Sequence, residues 1–456
     1  MKHLPISILL SCLTFFFACE PQDEIISSDK IDLVFSQDTV SFDTIFTTKA
    51  SVSKRLSVIN PSKKAIKISR IALNNTQNTP FSLIIKGKKQ NFVEDLLLLG
   101  KDSLLILVEA NLENQNQNLP FLIENAITFE ANQNIQEVPL RAWGQDANIF
   151  TDSTICNAVW TAERPYLIDG YVFVDSLCEL QIEEGTQIHF MPNSRMIVQG
   201  SLKINGSAEN PVNLQGVRRE EEYQNAFGQW DKVWFIVGSH DNLINHATIK
   251  NGFRGIEIGT PDEDSETDLL ISNTVIENMS DVGILCYNSD VEIQNTVVNN
   301  CITYAVATFS GGNYQLKHNT FANFSFNFFR ETPVFAFSNA IPNVEGSEFI
   351  NDLNLEVSNT IIWGSLDNEL IFLNDPSANF SISMQNNILK TELGDFDAST
   401  NILNQDPKFK DAFEQIFELD TLSPAKDAGI LLDIQQDILG NTRDQKPDIG
   451  AFERIE

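Results

Sequence analysis

Positive charge is scarce in this chain. Its 456 residues carry 31 Lys plus Arg against 62 Asp plus Glu, a formal net charge of −31. That excess argues against nucleic acid as a partner, whose phosphates would be repelled instead of neutralised. It equally argues against a polybasic contact with anionic lipid. No apolar run is long enough to make a multispanning membrane protein, while a hydrophobic fraction of 42% supports a folded core. The six Cys include no CxxC pair, which argues against a zinc ribbon or a thioredoxin-like site. His189, His240, His246 and His318 are scattered without metal-ligand spacing. GxSxG, P-loop and post-strand GxGxxG motifs are absent. Tyrosine is sparse, six against 32 Phe, so the aromatics serve mainly for burial.

The amino terminus reads as an address. A basic start, Met1-Lys2-His3, precedes an apolar stretch over 4–18 that is too short to span a bilayer, and then Cys19. Phe16-Phe17-Ala18-Cys19 resembles a bacterial lipobox, which implies cleavage after residue 18 and acylation of Cys19. The rival Leu9-Leu10-Ser11-Cys12 matches the lipobox wording better but leaves too little apolar sequence before it. An ordinary secretory signal leaves unexplained the polar run Glu20-Pro21-Gln22-Asp23-Glu24 directly after a Cys. That tether resembles the acidic segment that directs some Gram-negative lipoproteins to the cell surface. The resemblance implies a protein held at the outer membrane by its acyl chains, without spanning it.

Charge is placed unevenly along the chain. Residues 1–150 hold 14 basic and 16 acidic residues, and residues 151–456 hold 17 and 46. A boundary near residue 150 follows. Before it the pattern is short alternating strands: Leu56 and Val58, then Ile66 and Ile68, flank the turn Asn60-Pro61-Ser62-Lys63-Lys64. Further strands fit 81–85, 104–108, 127–129 and 138–142. About seven such strands without helical period predict a β-sandwich. The phrases LSVINPSKKAIKISRIAL, LLLGKDSLLILVE and ITFEANQNIQEVPLRAWG resemble bacterial immunoglobulin-like domains of the abnormal-spindle/hydin type. That implies a spacer or contact module with no catalytic residues.

After residue 150 apolar pairs recur at i, i+2: Val172/Val174, Leu180/Ile182, Ile188/Phe190, Leu202/Ile204 and Val212/Leu214. Strands that short need stacked neighbours to bury a core. Hexamers repeat as well: HATIKN from His246, NTVIEN from Asn273, NTVVNN from Asn295, NTFANF from Asn319, NTIIWG from Asn359 and NNILKT from Asn386. A period in the low twenties with insertions predicts a parallel β-helix, one coil per repeat. Asn suits its sharp corners, because it tolerates αL and stacked amides bond along the ladder. Residues 150–456 resemble the right-handed parallel β-helix superfamily of pectate-lyase-like proteins. DPKF at Asp406, SPAKDAG at Ser423, DILGNTR at Asp437 and PDIGAFE at Pro447 resemble the closing segment of secreted bacterial β-helix proteins. In that pattern the chain folds back across the last coil and covers its strand edges.

The expected organisation is all-β: a signal peptide at 1–18, a tether at 19–30, an immunoglobulin-like sandwich at 31–148, a right-handed parallel β-helix at 149–403 and a closing segment at 404–456. With Cys12 removed and Cys19 lipidated, four cysteines remain and three connectivities are open. Cys156 and Cys178, 22 residues or about one coil apart, form the leading disulfide candidate. Cys286 and Cys301, 15 apart, fit stacking poorly and read as buried free thiols. The competing view makes all four small apolar core residues.

Such solenoids are often polysaccharide lyases or glycosidases, so each chemistry needs its residues. A lyase needs a basic residue beside a site that neutralises a uronate. Lys250 and Arg254, in IKNGFRGI, are the weak catalytic candidates, against a reading as solvated loop charges. Calcium could be held by Asp262, Asp264 and Asp268, with Glu263 and Glu266, in the loop GTPDEDSETD. The spacing matches no EF-hand or RTX repeat, so the plainer reading is a soluble, exposed insertion. The clustered acid plus Gly-His-Gly pattern of polygalacturonases is missing. Phe321, Phe324, Phe326, Phe328, Phe329, Phe335 and Phe337 offer a sugar platform or, more plainly, core. Trp160, Trp230, Trp234 and Trp363 divide between the same two readings. The reading that results is a non-catalytic surface lipoprotein presenting a binding or scaffold surface to an extracellular glycan or a surface protein. Its alternative is a polysaccharide lyase or glycoside hydrolase.

Overall fold

The computed structural model describes residues 24–26, 32–49, 53–77, 79–261, 264, 266–326, 328–342, 348–394 and 396–455. Cys12, Cys19 and the 1–18 segment lie outside the described residues. The chain divides into two compact units, Met1–Asp146 and Ala147–Glu456.

The first unit is a sandwich of a six-stranded and a five-stranded sheet. Its strands alternate because one face of each sheet meets a shared core: Leu56, Val58, Leu83 and Ile106 from one sheet, Ile66, Ile68, Ile127 and Leu140 from the other. The strands Lys54–Ile59 and Ala65–Leu73 are joined by the expected turn, yet they belong to different sheets. The turn is therefore a corner and not a hairpin. Asn60 holds it, fully buried, by donating its amide to the carbonyls of Lys64, Leu98 and Leu99.

The second unit is a parallel β-helix. Every strand pairing that builds its coils is parallel, and partners are about one coil apart in sequence. Three sheets run its length. The first holds Gln187–Phe190, Val212–Gly216, Ala247–Lys250, Val275–Met279, Val297–Cys301, Thr320–Asn323, Ile361–Gly364 and Ile388–Leu389. The second holds Arg195–Val198, Val233–Phe235, Ile256–Ile258, Val282–Tyr287, Tyr304–Phe309, Phe335–Ser338 and Leu370–Leu373. The third has nine strands, from Ala158–Trp160 to Phe380–Gln385. All five i, i+2 pairs point inward and are buried.

The hexamers mark one corner of each coil and, in three of them, a second. The residues at the first corner, His246, Asn273, Asn295, His318, Asn359 and Asn386, all have φ between 45° and 55°. One register is corrected here. The corner after Asn295 is His318 and not Asn319, because Val297 pairs with Thr320. Asn319 lies one row further in, fully buried, where its amide bonds Thr296 N and Ile293 O. The corner amides form the ladder: Asn273 donates to Asn245, Asn295 to Asn273, and Asn359 to His318 Nε2 at 2.9 Å. The hexamers' last residues, Asn251, Asn278 and Asn300, make a second αL corner.

The closing segment is the larger correction. It runs lengthwise along the outer face of the first sheet instead of across the last coil. Leu419, Ala425 and Ile449 pack on Ile361, Trp363 and Ile388, while Phe417, Ile438 and Ala451 pack on Val297 and Ala322. The reason is visible in the hexamers, which are apolar at successive positions as a strand buried on both faces must be. Gly450, at φ 108°, allows the closest approach: a Cβ there would meet Ile361 Cδ1 and Thr320 Oγ1 at 2.9 Å. Near the start of the solenoid, Cys156 and Cys178 are joined by a disulfide, their Cα atoms 4.7 Å apart. Cys286 and Cys301 are free and buried, and burial pushes the Cys301 thiol up to about 12.

Candidate functional site

The outer faces of the three sheets differ, and the difference locates the site. The first is covered by the closing segment. Along the third, one outward row reads Gln181, Lys203, Leu243, Leu270, Glu292, Gln315, Glu356 and Ser383, a mostly polar face. On the second sheet the corresponding row reads Ile197, Trp234, Glu257, Leu285, Ala307, Ala336 and Ile371. Tyr287, Tyr304 and Phe309 stand beside it and pack on Val282, Leu285, Ala307 and Ala336. The strands VGILCY, YAVATF and FAFS are apolar on both faces; on the outward side Leu285, Ala307 and Ala336 are almost fully buried, with the half-buried Tyr287, Tyr304, Phe309 and Ile371 packed against them. Together with the half-buried Ile197 and Trp234, these rings leave a partly open aromatic and apolar strip along the sheet, the candidate interaction surface.

Charged side chains line one margin of the strip. Arg195 pairs with Asp231 at 3.1 Å. Lys232 Nζ sits 2.8 Å from Glu257 Oε2 and 4.6 Å from the centre of the Trp234 ring. Arg254 donates from Nε to Asp281 at 2.7 Å and from Nη1 to Glu257 at 2.5 Å. Burial works against the charged guanidinium of Arg254, but the hydrogen bonds to Asp281 and Glu257 outweigh it and raise its pKa. Burial also raises the hydroxyl pKa of Tyr287 and of Tyr304. At the strip's first end Tyr171, Arg195 and Ile197 line a shallow hollow with Asp152, Gly170 and Asn193.

The structure divides the pair that the sequence suggested. Lys250 ends a strand of the first sheet opposite Glu277, whose pKa is raised by burial against the pull of Lys250 and Asn299. Arg254 serves the second sheet and its own two acids. The calcium loop is divided as well. Asp262 and Glu263 lie outside the described residues. Asp264 is exposed and caps Glu266 N, whereas Asp268 is buried and its Oδ2 accepts from Asp290 N. Asp268 thus belongs to the coil and not to an exposed loop, since it opens an inward strand. Among the described residues no three His, Cys, Asp or Glu side chains converge as a metal site would need. No described helix is long and apolar enough to cross a membrane.

The aromatics separate in the same way. Trp160 stacks on Tyr166 at 4.3 Å and Trp230 on Phe190 at 4.1 Å, both in the core. Trp363 lies under the closing segment, and Trp234 stands outward. Phe321, Phe335 and Phe337 are interior. Phe324 packs on Phe409 and Phe417 of the closing segment, Phe326 meets Phe413, and Phe328 meets Phe227; Phe329 is exposed. His189 is buried, and His246 and His318 occupy corners. Sequence reading missed the strip itself, whose one local signal is the loss of alternation in 282–287 and 304–309. It also missed Arg330 and Glu369, a fully buried bidentate pair at 2.7 and 2.8 Å that ties the 324–334 insertion to the next coil.

No family model matches the chain, and no curated protein matches it. Among solved structures it is similar to the ASH / PapD-like domain of human CEP192, at 9% identity over 25% of this chain and 84% of that one, with a TM-score of 0.17. It is also similar to the catalytic domain of a GH87 alpha-1,3-glucanase in complex with nigerose, at 10% identity over 74% of this chain and 81% of that one, TM-score 0.23. The same catalytic domain with tetrasaccharides gives 10% identity over 73% and 80%, TM-score 0.18. At these scores the likeness is distant, and the fold stands on the strand register.

Proposed function

We propose that this protein is a non-catalytic binding module of the cell surface, lipid-anchored through Cys19, whose second-sheet strip docks an extracellular glycan or a surface protein. The observation that carries the reading is the set of half-buried side chains Ile197, Trp234, Tyr287, Tyr304, Phe309 and Ile371 along the sheet, resting on the buried outward residues Leu285, Ala307 and Ala336. A solenoid that needed this face only for solubility would repeat the polar alternation of its third sheet. The disulfide between Cys156 and Cys178 suits an oxidising compartment, as the lipobox reading of the amino terminus requires. The acids beside the strip are taken up by Arg195, Lys232 and Arg254, which suits positioning more than proton transfer.

The test is a polysaccharide panel read for both retention and product, with Trp234→Ala and Tyr304→Ala beside the unaltered protein. Retention without product, weakened in both variants, supports the proposal. Ultraviolet-absorbing unsaturated product from a uronate polymer, or new reducing ends from any polymer, establishes the lyase or glycosidase alternative instead.

A further inference from the structure

We infer that the ligand of the second-sheet strip is a neutral, linear polysaccharide, and that the paired charges along the margin are its hydrogen-bonding rail. This rests on the reading of that strip as the docking face and adds the chemistry of what docks. Three observations support it.

The rail is electrically closed. Its cations, Arg195, Lys232 and Arg254, are matched by Asp231, Glu257 and Asp281 in direct pairs. An acidic polymer would have to displace those carboxylates, and it would do so against a unit that carries 46 acidic and 17 basic residues beyond position 150. A cationic polymer would have to displace the guanidinium and ammonium groups in turn. Hydroxyl groups need neither exchange, because each both donates and accepts and can bond the outer edge of an existing pair. Arg254 illustrates this. Its Nε and Nη1 are committed to Asp281 and Glu257, and Nη2 has no acceptor among the described residues.

Aromatic side chains stand where sugar faces would lie. Trp234, Tyr287 and Tyr304 are half-buried, which fixes each ring while leaving part of it open. Lys232 stands over Trp234 and anchors that ring within the rail. Tyr and Trp combine an apolar face with a polar edge, as a pyranose ring does, so its C–H face can lie on the aromatic ring while its hydroxyl edge meets polar groups.

The strip is long and straight. The row from Ile197 to Ile371 advances one coil per residue. At roughly 4.8 Å per coil the face extends about 30 Å, partly open at Ile197, Trp234 and Ile371 and, beside the buried Leu285, Ala307 and Ala336, at Tyr287, Tyr304 and Phe309, a length that matches several sugars.

Titration calorimetry at 50 and 500 mM NaCl tests the inference. The probes are neutral polymers (dextran, galactomannan, xylan), acidic ones (polygalacturonate, alginate) and cationic chitosan. The expected result is that a neutral polymer binds with a Kd that changes less than twofold with salt. Arg254→Lys, which keeps the charge and loses the planar fork, should weaken that binding at least tenfold with an unchanged melting temperature. Trp234→Ala should weaken it similarly and controls for any folding defect at Arg254. Preferential binding of polygalacturonate, alginate or chitosan, salt-sensitive and lost in Trp234→Ala, overturns the neutral chemistry while the docking face stands. Binding of a neutral polymer that survives both substitutions overturns the docking face. No binding to any probe overturns the inference.

Discussion

Arg443 reaches back 148 residues along the chain to donate from Nη2 to the Oδ1 of Asn295, 2.9 Å away. The same guanidinium pairs with Glu453 at 3.1 Å and donates to Gly450 O at 2.9 Å. Asn295 donates in turn to Gln436 O, so a corner of the ladder and the closing segment hold each other. Arg443 and Glu453 are almost fully buried, with side-chain exposures of 2% and 7%.

Removing Arg443 would therefore leave Glu453 buried without its cation, at a cost of about 3–5 kcal/mol. Arg443→Met is expected to loosen the closing segment before the coils unfold. Limited proteolysis should then cut within 404–456 first, with a lowered melting temperature. Unchanged digestion would show that the segment does not depend on this residue.

Two buried histidines make the fold sensitive to acid. The pKa of His189 and that of His318 are each pulled down to about 3, chiefly by burial. An unfolded histidine titrates near 6.5, so below that pH the unfolded chain binds protons that the folded one refuses. The stability is complete above about pH 6.5 and is lost as the pH falls towards 3, by about 2 kcal/mol per histidine at pH 5. Burial raises the pKa of Asp448 and of Glu453, so their protonation favours the folded state and does not add to this loss. His318→Asn gives this corner the side chain found at Asn295 and Asn359. It should melt near the parent at pH 7.5 and above it at pH 5. Equal shifts at both pH values would contradict the assignment.

The ladder itself is testable by contrast. Asn295→Leu removes the amide that bonds Asn273, Gln436 and Arg443, at a corner with φ 45°. It should cost about 1–3 kcal/mol or more. Asn313→Leu, an exposed site outside the hexamers, should cost well under half as much. Denaturant midpoints of the two variants decide between a ladder and a chance repeat.

Opening the disulfide should unravel the first coils. Joining Cys156 to Cys178 closes a loop of 22 residues, worth about 3 kcal/mol in the chain-entropy account. Cys156→Ser is expected to lower the melting temperature and to hasten amide exchange in the strands Asn148–Ile155 and Tyr166–Val174. Non-reducing peptide mapping of the exported protein should recover the two cysteines in one linked peptide pair. Recovery of both as free thiols would remove the staple from the account.

What the sequence disclosed, and what it hid, follow from how far each signal reaches. The hexamers are legible because a corner needs its αL residue in every coil, so a local constraint becomes a repeat. The slip at Asn319 has the same origin. His318 fills the corner with a residue that tolerates αL, and the neighbouring Asn319 offers a decoy that serves an inner row. The path of the closing segment could not be read from its motifs, since it depends on which face of the hexamers is apolar on the outside. The strip was hidden for a different reason. Trp234 shares one row with Glu257, Leu285 and Ala307, while Arg254 and Tyr304 stand before that row and Tyr287 after it, and only strand register gathers them from coils interrupted by turns of unequal length. Lys250 and Arg254, close in sequence, part for the opposite reason, because a coil corner falls between them.

The claim at the centre is that ligand meets the outer face of the second sheet. Hydroxyl-radical footprinting, read by mass spectrometry with and without a bound neutral polysaccharide, tests it most directly. The expected result is protection of Trp234, Tyr287 and Tyr304, with oxidation of Phe326, Phe329 and Phe413 unchanged. Protection of Phe326, Phe329 and Phe413 with Trp234 and Tyr304 still fully reactive would contradict it.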